Sequence, residues 1–345
     1  MTDCLRIAVL GGGSFGTTLC NLVAEKGHDA VLWLRNAERA AEINDQHRNS
    51  YYLGDYALNP QMCADTDLDA CVANADIVVV AVPSKSCRDV ARQLAQILPK
   101  SALVVSTTKG VEPGTFNLMS EVLCDCLPDH AIGVLSGPNL AKEMVARQMT
   151  ATVIASQDEA LIATVQQAFS NSYFRVYASR DLFGVELGGA LKNIYAIIAG
   201  IGSAMSLGEN TRAMLMTRSL AEMSRFAVTM GANPMTFLGL SGVGDLIVTC
   251  SSPLSRNFQV GVSLGEGETL EQSVAELGQV AEGVNTLRTV KERADREGVY
   301  MPLVQGLYRI VFDGQSVGDV VAELMQSEQS DDVEFALVPG ADGQG

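Results

Sequence analysis

Four groups of residues in this chain have types and spacings that could do chemistry. The first is Lys192, set in Gly188-Gly189-Ala190-Leu191-Lys192-Asn193-Ile194-Tyr195. Residues three and four positions earlier share its face of a helix, so Gly188 and Gly189 leave a space over which a small molecule could lie. Burial in apolar surroundings lowers a lysine pKa, which suits proton transfer. A buried stem whose ammonium snorkels to the surface fits the same spacing. The second group lies at two expected strand ends, Thr107-Thr108-Lys109-Gly110 and Ser136-Gly137-Pro138-Asn139-Leu140-Ala141-Lys142-Glu143. The carboxyl edge of an open parallel sheet is where ligands bind, so Lys109 would point its ammonium into that crevice, unless it is an ordinary loop lysine.

The third group combines Ser241-Gly242-Val243-Gly244-Asp245-Leu246-Ile247, read as a glycine-framed loop entering an apolar run, with Ser255-Arg256-Asn257. Asp245 is either a site carboxylate or a helix cap. Ser255 as an N-cap, free N–H groups and the fork of Arg256 would make an anion pocket, although Ser-Arg also opens many ordinary helices. The fourth group is Gly11, Gly13 and Gly16 in LRIAVLGGGSFG (5–16), a Gly-x-Gly-x-x-Gly between an apolar strand and a helical pattern over 14–26. In that setting the first glycine allows the turn, the second lets backbone approach a pyrophosphate, and the third lets helix and strand pack closely. The second strand ends at Trp33-Leu34-Arg35-Asn36. A strictly NAD-using site places a carboxylate there for the ribose 2′-OH; Arg35 favours a 2′-phosphate, hence NADP(H) with NAD(H) still acceptable, or is a solvated arginine.

Positioning these groups requires a sheet and then helices. Apolar runs that read as buried parallel strands occur at 5–10, 30–34, 77–82, 103–106, 131–135 and 152–155, with 173–177 as a last edge strand; amphipathic stretches separate most of them. From about Asp181 helical periods follow one another at 181–205, 211–230, 256–264, 269–277, 283–297, 303–313 and 316–326. The reading is an α/β chain: a Rossmann-type, doubly wound, mostly parallel domain over 1–180, an all-helical substrate and catalytic domain over 181–326, and an acidic, glycine-rich tail over 327–345. The stretch 183–207 is apolar enough for a membrane span, but Glu186 and Lys192 interrupt it and five glycines suit close packing, so a buried core helix is expected.

Composition bounds the partners. With 345 residues the chain has room for two cores, and 47% hydrophobic with 19% charged residues is a globular balance. A net charge of −16 argues against nucleic acid and requires local cations for any anionic substrate. No export signal opens the chain. Eight scattered cysteines without Cys-x-x-Cys read as buried thiols of a reducing cytoplasm. Three dispersed histidines (His28, His47, His130) give no metal-ligand spacing, so a metal-free centre is expected.

Taken together, GGGSFGTTL (11–19), WLRN (33–36), STTKGVEPGT (106–115), LSGPNLAKE (135–143), VELGGALKNIYAIIAGI (185–201), LGENTRA (207–213), LSGVGDLIVTCSSPLSRN (240–257) and VAEGVNT (280–286) resemble the bacterial NAD(P)-dependent glycerol-3-phosphate dehydrogenase family. They occur in order over most of the chain. The resemblance implies that Lys192 is the catalytic proton acceptor. It implies substrate contacts at Lys109, Gly137, Asn139, Lys192, Asp245, Ser255, Arg256 and Asn257. Cofactor contacts would be Ser14, Phe15, Arg35, Lys109, Ala141, Arg256, Val280 and Glu282, beside the glycines of the turn. The family more usually has Ser or Thr and then Phe where this chain has Asn139-Leu140. The implied reaction is reversible reduction of dihydroxyacetone phosphate to sn-glycerol 3-phosphate for glycerophospholipid synthesis, by a cytoplasmic homodimer. The competing readings are a hydroxy-acid or ketopantoate type reductase, against which the Ser255-Arg256-Asn257 phosphate pocket speaks, and a non-catalytic NADP(H) sensor.

Overall fold

The computed structural model describes residues 4–277 and 281–326. Eight strands form one sheet: β1 (Arg6–Leu10), β2 (Asp29–Trp33), β3 (Cys63–Asp65), β4 (Ile77–Val80), β5 (Leu103–Ser106), β6 (Ile132–Ser136), β7 (Thr150–Ser156) and β8 (Phe174–Ser179). Their spatial order is β3-β2-β1-β4-β5-β6-β7-β8. β1 through β6 are parallel; β7 runs antiparallel to β6 and carries β8 parallel to itself. The order reverses between β1 and β4, which opens the crevice at the switch point of a doubly wound sheet. The middle strands are Val-, Ile- and Ala-rich because helices cover both faces: Ile7 and Val9 join one apolar cluster, Ala8 and Leu10 the other. The short strand β3 has no counterpart among the apolar runs, since Cys63 and Asp65 are exposed and only Ala64 between them is buried.

After β8 the described chain is helical. The helix Leu182–Ala204 is its axis, with most of its residues buried. It crosses Arg256–Gly265 at backbone distance: a Cβ on Gly261 would fall on the carbonyl of Ile197, and one on Gly200 on the carbonyl of Phe258. The helices Glu209–Thr229, Glu282–Glu297 and Pro302–Phe312 surround this axis and share one apolar cluster with it. The apolar stretch that passed for a membrane span is thus the core helix of this bundle.

Its two acidic and basic side chains are buried for specific partners. Glu186 accepts hydrogen bonds from the amide and hydroxyl of Ser120, at the start of Met119–Cys126, and so ties the bundle to the sheet. Two expectations are corrected here. The 241–247 segment is a π-helical turn, Leu240–Gly244, running straight into the helix Asp245–Ser251. The cysteines are not all buried either: Cys4, Cys63 and Cys124 are exposed, and only Cys20, Cys71, Cys87 and Cys250 are buried.

Candidate active site

The glycine turn occupies the switch-point crevice. Gly11 has φ +128°, and a Cβ there would lie 2.5 Å from the carbonyl of Ala81 beyond β4; both facts require glycine. A Cβ on Gly16 would strike the carbonyl of Gly11, so the helix Ser14–Glu25 can start only this close to the strand without one. Gly13 differs: nothing lies within 4 Å of where its Cβ would be, and it is the N-cap of that helix. The turn therefore leaves open room at Gly13, in front of free helix N–H groups, as a pyrophosphate needs. Ser14 donates from Oγ to the carbonyl of Tyr52 at 3.5 Å, and Phe15 packs against the sheet's apolar cluster. Asn49, fully buried, holds the turn by donating to the carbonyl of Gly12 at 3.1 Å and to Thr17 Oγ1 at 2.9 Å. The sequence reading missed Asn49.

Arg35 stands exposed at the end of β2, its guanidinium 6.0 Å from the centre of the Trp33 ring. Arg35 stands where a strictly NAD-using site would place a carboxylate for the ribose. Further along the same edge, Glu282 opens the helix Glu282–Glu297 and accepts the Ser84 hydroxyl at 2.8 Å, joining the start of the helix Ser84–Ile97 after β4 to the helical bundle. Ala141 starts the short helix Ala141–Val145, and its carbonyl accepts Thr18 Oγ1 at 3.4 Å. Val280 falls outside the described residues.

The centre of the site is a carboxylate between two ammonium groups. Lys109, directly beyond β5, places Nζ 2.6 Å from Asp245 Oδ2. Lys192 donates to Asp245 Oδ1 and, at 2.7 Å, to Thr249 Oγ1. Asp245 is 1% exposed and Lys192 6%, whereas the side chain of Lys109 keeps 26% of its surface. Lys192 therefore does not snorkel, Asp245 does not cap its helix, and Lys109 is not a free loop lysine. Burial pulls the Lys192 pKa down to about 7; the neighbouring Lys109 charge also lowers it, and Asp245 opposes both. Thr249, one turn beyond Asp245, is a partner that the sequence reading did not name. Its spacing of four from Asp245 on an apolar helix was the available signal.

The space expected beside Lys192 is filled by protein. A Cβ on Gly188 would lie 3.0 Å from the carbonyl of Ser241, and one on Gly189 would lie 2.7 Å from Ser136 Oγ and 3.8 Å from the stem of Lys109. These glycines bring the core helix close to the π turn and to the ends of β5 and β6, and so let the three charged groups meet. At the end of β6, Gly137 lies against Thr152, and Asn139 donates to the carbonyl of Ala151 at 3.1 Å. Ser255 caps Arg256–Gly265, bonding Phe258 N at 3.4 Å, with Arg256 exposed at the first position. Asn257 turns inward and accepts Gly283 N at 2.9 Å.

A doubly wound sheet with this turn, and a buried lysine–carboxylate–lysine chain at its carboxyl edge, fit a nicotinamide-dependent dehydrogenase. Comparison with known proteins narrows the class. Residues 6–162 match the NAD-dependent glycerol-3-phosphate dehydrogenase N-terminus and residues 181–322 the corresponding C-terminus. The chain belongs to that family. It is 55% identical over 340 residues to glycerol-3-phosphate dehydrogenase [NAD(P)+] of Ectopseudomonas mendocina, covering 99% of this chain and 100% of the relative. It is 54% identical over 333 residues to the enzyme of the same name from an Acinetobacter baumannii strain, covering 96% and 93%. The crystal structure of glycerol-3-phosphate dehydrogenase from Coxiella burnetii superposes with a TM-score of 0.89 at 33% identity, covering 94% of this chain and 99% of that one. A ketopantoate reductase from Ralstonia solanacearum reaches a TM-score of 0.56 at 18% identity and shares the fold alone.

Proposed function

We propose that this protein catalyses the reversible reduction of dihydroxyacetone phosphate to sn-glycerol 3-phosphate with NADPH or NADH, NADPH being preferred, and so supplies glycerophospholipid synthesis. The observation that carries the reading is Asp245 held between Lys109 and Lys192 at the carboxyl edge of the sheet. The names of the relatives above support the substrate.

When bound, the nicotinamide supplies the hydride that adds to C2 of the ketone. The chain supplies the proton and the positioning. Lys192 donates from Nζ to the C2 oxygen and takes the proton back in the reverse direction, and Lys109 polarises the same oxygen. Asp245 holds both ammonium groups in place, and Thr249 fixes the direction of the Lys192 Nζ. Ser255, Arg256 and Asn257, with the N–H groups of their helix start, receive the phosphate; Gly137 and Asn139 border the substrate. Gly11, Gly13, Ser14, Phe15 and Gly16 hold the pyrophosphate side of the cofactor, with Ala141, Val280 and Glu282 along its length. Arg35 reads the 2′-phosphate, which is the basis for preferring NADPH.

No step in this scheme calls for a metal. We further propose the division 1–180 and 181–326, a homodimer in solution, and a cytoplasmic location, for which the unpaired state of the eight cysteines is the support.

The phosphate assignment is tested by following NADPH oxidation with dihydroxyacetone phosphate and with unphosphorylated dihydroxyacetone. Replacing a charged hydrogen-bonding group should cost about ten- to a hundredfold. Arg256→Ala should therefore raise the KM for the phosphorylated ketone and shrink its advantage by that factor. Full discrimination in the variant would move the phosphate pocket elsewhere, with Lys109 the next cation to test.

A further inference from the structure

The last described helix, Val317–Gln326, packs against Pro302–Phe312 and closes one side of an apolar groove of about 260 Å³ in the helical bundle. Ile198 and Ile201 of the core helix line it, with Met214, Leu303, Leu307 and Leu324. None of its lining residues takes part in the scheme above. It also carries two cations, Arg218 and Arg225, seven positions apart on Glu209–Thr229 and so on one face of that helix. Arg225 donates to the carbonyl of Tyr300; a guanidinium carries five N–H donors and can serve a carboxylate as well. The groove's own carboxylate, Glu222, is buried and accepts the amides of Leu303 at 3.0 Å and Val304 at 2.9 Å.

Apolar grooves with a polar rim mark contact sites, because covering them removes apolar surface from water. The sequence of this chain holds a segment of matching chemistry. Residues 327–345 lie outside the described residues and follow directly on Val317–Gln326, whose Leu324 and Met325 line the groove. They include Glu328, Asp331, Asp332, Glu334 and Asp342, and neither lysine nor arginine. Within them Val333, Phe335 and Leu337 alternate with Asp332, Glu334 and Ala336. An acidic segment of another molecule would meet the repulsion of a net charge of −16, whereas one tethered at the groove's edge binds at the high effective concentration of a short linker.

We propose that the groove is the docking surface for the chain's own C-terminal segment, with Phe335 and Leu337 against its apolar lining and the acidic block 331–334 at Arg218 and Arg225. Docked there, the segment covers apolar surface of the helix that carries Lys192, and so acts on the stability of the bundle and not on the bound substrate.

Two groove methionines, Met205 and Met214, report the cover, and Met149 beside β7, 92% exposed and outside the groove, is the internal standard. Oxidation by dilute hydrogen peroxide, read by peptide mass analysis, compares the full chain, a chain ending at Gln326, and the full-length double variant Phe335→Asp/Leu337→Asp. Thermal melting checks folding; if the shortened chain does not fold, the double variant carries the comparison. The expected result is slow oxidation of Met205 and Met214 in the full chain and a several-fold rise toward the Met149 rate in both altered chains. Their melting temperatures should fall, with the Met149 rate unchanged. Equal rates at Met205 and Met214 in all three chains overturn the proposal. A rise in the shortened chain without one in the double variant removes Phe335 and Leu337 from the groove and overturns it too. Protection in the full chain that disappears on dilution gives the groove to a second copy of the chain, again against the proposal.

Discussion

Lys192 is not an isolated charge. It is buried with a carboxylate partner, a threonine oxygen and a second ammonium beyond the carboxylate. Burial disfavours the ammonium form and Asp245 favours it, and the balance lies well below an ordinary lysine. Such a group can be protonated in one direction of a reversible reaction and neutral in the other near neutral pH. The sign for each direction follows. With Lys192 as the proposed acid, ketone reduction uses its ammonium form, so kcat should fall as pH rises through the lowered pKa near 7. Alcohol oxidation uses the neutral amine and should rise over the same window. Initial rates in both directions from pH 5.5 to 9.5 check this; limbs in the same sense, or a limb at the 10.5 of a free lysine, would exclude Lys192 as the group that titrates. Much of this was legible in the sequence, because a lysine in an apolar, glycine-lined helix is unusual. The pairing was not: Lys109, Asp245 and Thr249 lie 83, 53 and 57 positions from Lys192 in the chain, and no periodicity links them.

At the scale of elements, glycines decide which surfaces can meet. The core helix Leu182–Ala204 and the helix Arg256–Gly265 touch backbone to backbone at Gly200 and Gly261. That contact fixes where Ser255, Arg256 and Asn257 stand relative to Lys192. Gly261→Ala would drive a methyl into the Ile197 carbonyl, which cannot move without the core helix. Overpacking of this kind costs about 1–3 kcal/mol. Urea unfolding should show that loss, and the KM for the phosphorylated substrate should rise with it; a variant as stable as the wild type would mean the two helices separate freely. The helix pattern and the long apolar strands were readable from their periods. The strand β3 and the π-helical turn Leu240–Gly244 were not. The strand has one buried residue, and the turn has the composition of a glycine loop until tertiary packing winds it. The space expected at Gly188 and Gly189 was misjudged for the same reason, since only the fold shows that Ser241 and Ser136 fill it.

At the scale of the whole molecule, the proposed scheme divides the chemistry between the sheet and the bundle. The sheet's carboxyl edge carries the glycine turn, Arg35, Lys109 and the β6 turn; the bundle carries Lys192, Asp245 and the Ser255-Arg256-Asn257 helix start. Glu186 on Ser120 and Glu282 on Ser84 join the two outside the reaction centre. With a net charge of −16, this molecule attracts an anionic substrate only locally, where its few site cations outweigh the field of the rest. On the proposed mechanism the cofactor is held by the sheet while the proton comes from the bundle. The most direct test is Lys192→Met, measured for NADPH binding by fluorescence titration and for NADPH oxidation with dihydroxyacetone phosphate. Removal of a positioned acid–base group costs about 10²–10⁴-fold. The expected result is a loss of kcat in that range with NADPH affinity within a few-fold of the wild type. Turnover close to the wild type, or NADPH binding lost along with activity, would contradict it.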